Sequence, residues 1–415
     1  MLEMIVTPAA APEPFNTPLA AEKHRVLPSD GTSGDWFGSK IVISQDASVI
    51  AVASRYSDEG TFTNTGHVQI FRKTAGGYVR EAKIPPPILA GNNHFGLSLD
   101  ISADGNTIIA GSYVTANPNV CVIEKQTNWV ITATLRPADF AAIKAIGRSV
   151  AISGDGNTIL LSGEGDAAGG QYSGTVYYYK RSGTSWIESG KIYPNVKIVN
   201  DYFGKAVSIN YDGTIAAIAS MGRSQPNLTS GTLFVFNLLG GVWQEKAMLV
   251  PSNPQNGSEF GFTMKISPNG NDIVAGAAFL DAVTGTQTSH GGAYVFTNSD
   301  GSWYQQAFLL PGDNFSDDRF GTSVSISENG DTVAIGASYA ENTTFSFTGN
   351  VYVFKRTNGV WVEKSLLVTT ESYTQGGGQL GTSTSISYKG DIVVSGAPVV
   401  KDGGGISTGG FFVFY

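Results

Sequence analysis

Short runs in which apolar residues alternate with small or polar ones fill most of the chain, and glycine-containing turns separate them. Such runs predict β-strands with one buried face, because successive side chains of a strand point to opposite sides. One run recurs: FGLSLDISADGNTIIAGS at 95–112 returns as FGTSVSISENGDTVAIGAS at 320–338. No segment shows sustained helical periodicity, so the pattern predicts an all-β protein made of repeats.

Seven copies of this run divide the chain into units of nearly constant length. Each unit is predicted to hold four strands, a to d, with a tight Asp-Gly or Asn-Gly turn after strand a and a long polar loop after strand b. Four antiparallel strands in each of seven units predict a seven-bladed β-propeller, with an open β-solenoid as the alternative. The units begin at Phe37, Phe95, Ile146, Phe203, Phe260, Phe320 and Leu380, which are 51 to 60 residues apart.

The last unit stops at its strand c, FFVFY at 411–415, and lacks a strand d. The segment AEKHRVLP at 21–28 aligns with QEKAMLVP at 244–251, the strand d of the fourth unit. We therefore expect residues 20–28 to form the outer strand of the last blade and to close the ring. Closure leaves no free sheet edge, whereas an open solenoid has no use for this register. Residues 20–415 are thus assigned to the propeller.

The repeat resembles the FG-GAP family, the propeller type of integrin α-subunit heads and of many bacterial and viral surface proteins. The Phe-Gly start, the Gly-Ala near the end of strand b, as at 276–277, and the Gly-x-Val-Tyr-Val-Phe strand at 349–354 carry this resemblance. It covers roughly residues 20–415 and implies the same seven-bladed fold. Some integrin-type blades bind calcium in an acidic a–b loop, but each a–b turn here has at most two acidic residues. Carried-over calcium binding is therefore not expected.

Another acidic group precedes the sixth unit and contains Asp313, Asp317 and Asp318. These three are the remaining metal candidates, and a solvated loop is the preferred interpretation. Five of the six tryptophans head strand d and are expected to pack the blades rather than to bind a ligand. They are Trp129, Trp186, Trp243, Trp303 and Trp361.

Composition limits the chemistry further. Charged residues make up 14% of the chain, the net charge is −8, and no basic cluster points to nucleic acid. No apolar run approaches the ~18 residues of a membrane helix, so membrane insertion is not expected. The single cysteine, Cys121, excludes an intrachain disulfide and is expected to act as a small hydrophobe. The four histidines fall in different blades, and no nucleophile elbow, phosphate loop or paired-carboxylate motif occurs. Neither a cofactor nor a catalytic residue is predicted.

Alternation of strand direction places the b–c and d–a loops on one face of the propeller, called here the long-loop face. The a–b and c–d turns lie on the opposite, short-turn face. Variable loops on a rigid scaffold are where binding residues concentrate, and aromatic residues and arginine are enriched in hot spots. The candidate partner-binding residues on the long-loop face are Arg55, Tyr56, Phe62, Tyr113, Tyr172, Arg223, Phe279, Tyr339 and Phe345.

Residues 1–19 lie outside the repeat and contain four prolines, which favour a stiff, extended arm. The sequence therefore favours a non-enzymatic binding or assembly module. A virion structural protein, such as a phage tail, fibre or capsid-associated protein, is the preferred setting, with other protein subunits as partners. Synthesis in the host cytoplasm is expected, because no ordinary secretory signal is seen. The alternatives are a glycan-binding lectin or cell-surface adhesin with a host glycan or receptor as partner, and an enzyme that uses the central channel.

Overall fold

The computed structural model describes residues 22–112, 120–139, 145–167, 170–222, 230–281, 289–313, 316–341, 347–369 and 377–415. These residues form a seven-bladed β-propeller of four-stranded antiparallel sheets, as the sequence predicts. Blades 1 to 4 contain β2 (Phe37–Ile43), β3 (Val49–Ser54), β4 (His67–Thr74), β5 (Gly77–Ile84); β6 (Ser98–Ile101), β7 (Thr107–Gly111), β8 (Val120–Lys125), β9 (Trp129–Leu135); β10 (Ile146–Ile152), β11 (Thr158–Gly163), β12 (Thr175–Ser182), β13 (Ser185–Ile192); and β14 (Phe203–Ile209), β15 (Ile215–Ser220), β16 (Thr232–Leu239), β17 (Val242–Leu249).

Blades 5 to 7 repeat this arrangement, and the last of them takes its outer strand from the N-terminal part of the chain. They contain β18 (Met264–Ile266), β19 (Asp272–Gly276), β20 (Ala293–Ser299), β21 (Ser302–Leu309); β22 (Phe320–Ile326), β23 (Thr332–Ala337), β24 (Asn350–Thr357), β25 (Val360–Leu367); and β26 (Ser383–Ile386), β27 (Val393–Ala397), β28 (Gly410–Phe414), β1 (Glu22–Val26). No helix long and apolar enough to cross a membrane is found among the residues described.

The predicted closure of the ring is confirmed. Strand β1 pairs antiparallel with β28, and Val26 lies opposite Phe411. Lys23 falls at a bulge between the paired residues Glu22 and His24. The outer strand of blade 4 skips Lys246 in the same way, so the bulge reproduces the predicted alignment of residues 21–28 with 244–251. The guanidinium of Arg25 also donates to Lys401 O at 3.0 Å, which ties β1 to the loop before β28.

Aromatic side chains fill the spaces between neighbouring blades. The phenylalanine that opens each of five units is fully buried, and Phe203 packs edge-on against Phe234 and Phe236 of its own blade. The strand-d tryptophans pack against these clusters, as expected. Two of them also join blades, because Trp129 Nε1 donates to Glu81 Oε2 of the preceding blade at 2.9 Å, and Trp361 makes the equivalent bond to Gln306. Ala20, the matching position in blade 7, lies outside the described residues.

Hydroxyl side chains join the innermost strands around the channel. Ser325 Oγ accepts a hydrogen bond from Ile386 N at 3.1 Å, and Ser208 Oγ accepts one from Ile266 N at the same distance. This explains why strand a alternates apolar residues with small polar ones. Each bond links one blade to the next where the backbones converge on the axis.

The seven a–b turns form a closed backbone ring on the short-turn face. Each turn donates one N–H to a carbonyl of the next turn: from 45 to 103, 103 to 154, 155 to 211, 211 to 268, 269 to 328, 328 to 388, and 388 back to 45. Because the last bond returns to the first blade, the ring fixes the blades in one plane. The opposite face carries the longer loops and has its own backbone links between blades, such as the bridge of Phe320 with Gly291.

Candidate functional site

The long-loop face collects exposed apolar side chains in its b–c and d–a loops. Large apolar side chains on the surface are unremarkable singly, but a group on one face marks a contact surface. Ten such residues occur in the described loops: Phe62, Ile88, Leu89, Val196, Ile198, Val199, Phe262, Phe279, Phe347 and Ile406. At the short-turn face Leu239, Val242 and Val360 are exposed at hairpin turns, Tyr211 at an a–b turn and Tyr415 after β28. The outer strands expose six more: Val79, Val130, Ile187, Met248, Tyr304 and Val362.

Two of the predicted site residues, Arg55 and Tyr56, belong to one aromatic stack between blades 1 and 2. The Arg55 guanidinium lies over the rings of Trp36 and Tyr56, at 4.7 and 4.8 Å from their centroids. Tyr56 also meets His94 edge-on at 5.0 Å. Both residues are half-buried, so they brace the loops and present only part of their surface. The sequence did not reveal the role of Trp36 and His94, which lie in the d–a loops.

A second stack lies between blades 5 and 6 and includes the predicted residues Phe279 and Tyr339. The Arg319 guanidinium lies 5.0 Å from the Phe279 ring centroid and 3.8 Å from that of Tyr339. Tyr339 packs edge-on against Phe347, whose side chain is exposed. Positive φ angles of 56° at Trp36 and 55° at Arg319 turn both residues toward these stacks. They precede the first residue of their units, so the two stacks are built alike.

The remaining predicted residues are dispersed around the face. Tyr172 stacks on Tyr202 between blades 3 and 4, with 5.5 Å between ring centroids. Phe62 lies in the long loop of blade 1 with 42% of its surface exposed. The structure thus distributes the candidates over four positions around the rim and does not gather them into one pocket. Tyr113, Arg223 and Phe345 lie outside the described residues, as does the predicted arm at 1–19.

The acidic group before blade 6 divides into three environments. Asp317 is exposed, and Asp313 accepts the Tyr352 hydroxyl at 2.8 Å with both carboxylate oxygens. Asp318 is only 1% exposed, so the interpretation as a solvated loop is wrong for this residue. Burial, with Asp313 nearby, raises its pKa to about 7. No group of three or more metal-ligating side chains occurs among the described residues.

Buried histidine and cysteine side chains serve the fold. His67 Nδ1 lies 2.6 Å from Ser57 Oγ, and its Nε2 accepts from the Gln69 amide at 2.9 Å. Because the Gln69 side-chain amide donates this hydrogen bond, Nε2 carries no proton and the ring proton lies on Nδ1. Both nitrogens are therefore engaged, and neither is free to act as a base. Burial lowers the pKa of His67 to about 3, and it raises that of Cys121, which is fully buried, to about 12.

The central channel brings together charged residues of which only Arg55 was assigned to a site from the sequence. A cavity of about 590 Å³ is lined by the innermost strands and contains Lys40, Arg55, Asp100, Arg148, Glu164, Lys205 and Lys265. Asp100 Oδ1 binds Lys265 Nζ of a different blade at 2.9 Å. Glu164, which is buried, pairs with Arg148 and lies 3.6 Å from Lys205 Nζ. Each carboxylate in the channel is therefore held by a cation rather than paired with a second carboxylate for acid–base chemistry.

Comparison with known proteins supports the fold. The FG-GAP repeat family matches residues 21–71 and 303–354, and each match runs from a strand d to the strand c of the following blade. No curated protein matches the chain in sequence. Among solved structures, the WD40 repeats of RRP9 align with a TM-score of 0.57 and 13% identity over 96% of this chain and 99% of theirs. A putative 6-phosphogluconolactonase from Bacteroides uniformis aligns with a TM-score of 0.55 and 13% identity, over 84% of this chain and 88% of its own. At this identity both comparisons show the fold alone.

Proposed function

Because the chain is a seven-bladed β-propeller that carries FG-GAP repeats, we propose that it is a non-enzymatic binding module whose long-loop face contacts other protein subunits. The exposed apolar side chains of that face are the observation that supports this function. Hot spots of protein interfaces are apolar and aromatic anchors set among polar neighbours. Phe62, Phe279 and Phe347 have this character, since each is an exposed aromatic side chain in a polar b–c loop.

The finer proposal is that these partners are subunits of a virion, such as a phage tail, fibre or capsid-associated assembly. Low charge and a single, buried cysteine suit a protein that assembles without disulfide bonds. The proline-containing segment 1–19 suits an extended arm that reaches a neighbouring subunit. A place on the cell surface, with adhesion to a host glycan or receptor, is the alternative that the same loops support.

Footprinting by hydroxyl radicals tests which face is covered. The purified protein and its native assembly are labelled, and side-chain oxidation is compared residue by residue. We expect protection of Phe62, Phe279 and Phe347 in the assembly, with Val242 and Val360 labelled equally in both samples. Protection confined to Val242 and Val360 would place the interface on the short-turn face and overturn the proposal.

A pair of matched variants tests the energetic role of the same residues. Phe62→Ser with Phe347→Ser removes two exposed anchors, 42% and 43% exposed, from the long-loop face. Val242→Ser with Val360→Ser removes two equally apolar, more exposed residues from the opposite face. The first variant should incorporate poorly into the assembly while keeping its melting temperature, and the second should incorporate normally. Equal incorporation of both would contradict the proposal.

A further inference from the structure

The central channel is positively charged, although the protein as a whole carries a net charge of −8. Five cationic and two anionic side chains line the cavity, so its local charge is 5 − 2 = +3. The two carboxylates, Asp100 and Glu164, are already engaged by Lys265, Arg148 and Lys205. Lys40 and Arg55 therefore contribute positive charge that no carboxylate in the channel offsets.

Lys40 is half-buried, and no hydrogen bond or ion pair of its Nζ is found in the ranges that the structure describes. Burial and the nearby charges of Arg55 and Lys265 lower its pKa to about 8. A partly buried ammonium group without a partner is unfavourable, because it loses hydration and gains nothing in return. An anion in the channel would supply the missing partner.

The repeat shows that Lys40 is not required by the fold. Lys40 is the fourth residue of its unit, counting from Phe37, and the same position holds a hydroxyl residue in five other units: Ser98, Ser149, Thr263, Ser323 and Ser383. Those hydroxyls bond the neighbouring blade, as Ser98 Oγ does with Gly147 O at 2.7 Å and Ser383 Oγ with Ile41 N at 3.1 Å. A lysine gives up this link, so its presence points to another use of the position.

The two ends of the channel differ in charge. Exposed aspartates occupy the a–b turns of blades 1 to 4 on the short-turn face, at Asp46, Asp104, Asp155 and Asp212. The long-loop end instead has Arg148 and Lys205, each two residues after the start of its unit, and Arg55 directly after strand b. Charge of one sign at a mouth raises the local concentration of the opposite ion. An anion would therefore enter from the long-loop face.

We propose that the central channel binds a small anion with two or more negative charges, a polycarboxylate or a phosphate ester, with Lys40 as its main contact. A cavity of about 590 Å³ accommodates a molecule of metabolite size. The guanidinium group of Arg55 offers planar donor pairs that fit carboxylate or phosphate oxygens. This site lies in the channel and does not depend on the partner proposed for the loops.

Titration calorimetry with citrate and with pyrophosphate, at low ionic strength, tests the site. The informative variant is Lys40→Ser, which restores the residue type of the other units and should fold normally. Lys389→Ser is the matched control, because it removes an exposed lysine from the short-turn face. We expect Lys40→Ser to weaken binding by about tenfold or more, as for loss of one charged contact, and Lys389→Ser to leave it unchanged. Binding of only one anion would identify the class of ligand.

An independent readout uses the unmodified protein. The Nζ and Cε resonances of Lys40, assigned by their loss in Lys40→Ser, should shift on addition of the anion that binds. Absence of heat and of shifts with both anions at millimolar concentration, or equal weakening by the two variants, would overturn the proposal. Neither result would alter the footprint expected on the long-loop face, so failure of this site and failure of the proposed function are distinguishable.

Discussion

Phe37 and Gly409 form a parallel backbone bridge that joins blade 1 to blade 7 where the ring closes. The same bridge joins Gly291 to Phe320 and Gly349 to Leu380, so one contact repeats between successive blades. A β-carbon on Gly409 would lie 2.2 Å from Phe37 O, and the residue has a φ of +86°. The Phe-Gly start of one unit and the glycine before strand c of the preceding unit are therefore two parts of a single joint.

Gly409→Ala should destabilise the protein more than Gly359→Ala. Gly359 has a similar φ, +78°, but a β-carbon there would meet nothing within 4 Å. The control therefore shows only the cost of the left-handed conformation, roughly 1–2 kcal/mol, whereas Gly409→Ala adds a clash with backbone worth roughly 1–3 kcal/mol. Denaturant unfolding measures the difference, and equal losses in the two variants would contradict the role of the joint.

His67 should make the protein less stable as the pH falls. Its pKa is about 3 in the folded state against ~6.5 for an unfolded chain. Below pH ~6.5 the imidazole is protonated in the unfolded state, whereas in the folded state it stays neutral until pH ~3. The free energy of unfolding therefore falls as the pH is lowered from ~6.5 to ~3. The free energy of unfolding should fall by up to ~1.4 kcal/mol per pH unit from this group. In His67→Asn the free energy of unfolding should depend less steeply on pH between pH 4 and 6. An unchanged dependence would show that His67 is not the group responsible.

Chelators should leave the stability of the protein unchanged. The carboxylate of Asp104 is already used inside its turn, where Oδ1 accepts Ser102 Oγ at 2.6 Å and Oδ2 accepts the Asn106 amide at 2.9 Å. The turn therefore satisfies its own acidic residue without a cation. A bound metal would add about 2.7 kcal/mol at a hundredfold excess over its Kd. A fall of many degrees in melting temperature with EDTA, reversed by calcium, would show that a metal is held.

The fold was predictable because each unit repeats the same local signals. Strand c, the turn glycines and the residues of strand d recur, so the partner of β28 was found by aligning residues 21–28 with the strand d of another unit. Apart from Arg55, the channel charges were not predicted, because no motif links them and they come from five different units. Asp100 and Lys265, for instance, are 165 residues apart and meet only when the ring forms.

The signal that would have identified them is departure from the repeat at a fixed position. Asp100 replaces the serine found at the sixth residue of blades 4, 6 and 7, and it still accepts the equivalent bond, from Ile152 N at 3.0 Å. Lys40 replaces the hydroxyl residue found at the fourth position of five other units, and a lysine side chain cannot accept a hydrogen bond from the neighbouring blade. The loop stacks were missed for another reason, since Trp36 and Arg319 reach Tyr56 and Tyr339 through positive φ angles that composition does not reveal.

Two truncations test the closure of the ring. Removal of residues 1–19 should leave the melting temperature nearly unchanged, because that segment lies outside the repeat. Removal of residues 1–28 should lower it by many degrees and reduce solubility, because it deletes β1 and exposes the edge of β28. Val26 and Leu27 are half-buried and pack against two different interblade clusters, so their loss also weakens the contacts on both sides of blade 7.

The size of the effect separates side-chain loss from loss of the strand. Full burial of a side chain of this size contributes ~1.5–3 kcal/mol, and two half-buried ones contribute less than twice that value. Val26→Ser, which keeps the backbone of β1, should therefore cost only a fraction of what the longer truncation costs. The larger part comes from the antiparallel pairing of β1 with β28 and from the bond of Arg25 to Lys401 O. If the two truncated proteins have the same melting temperature, β1 does not close the ring in solution.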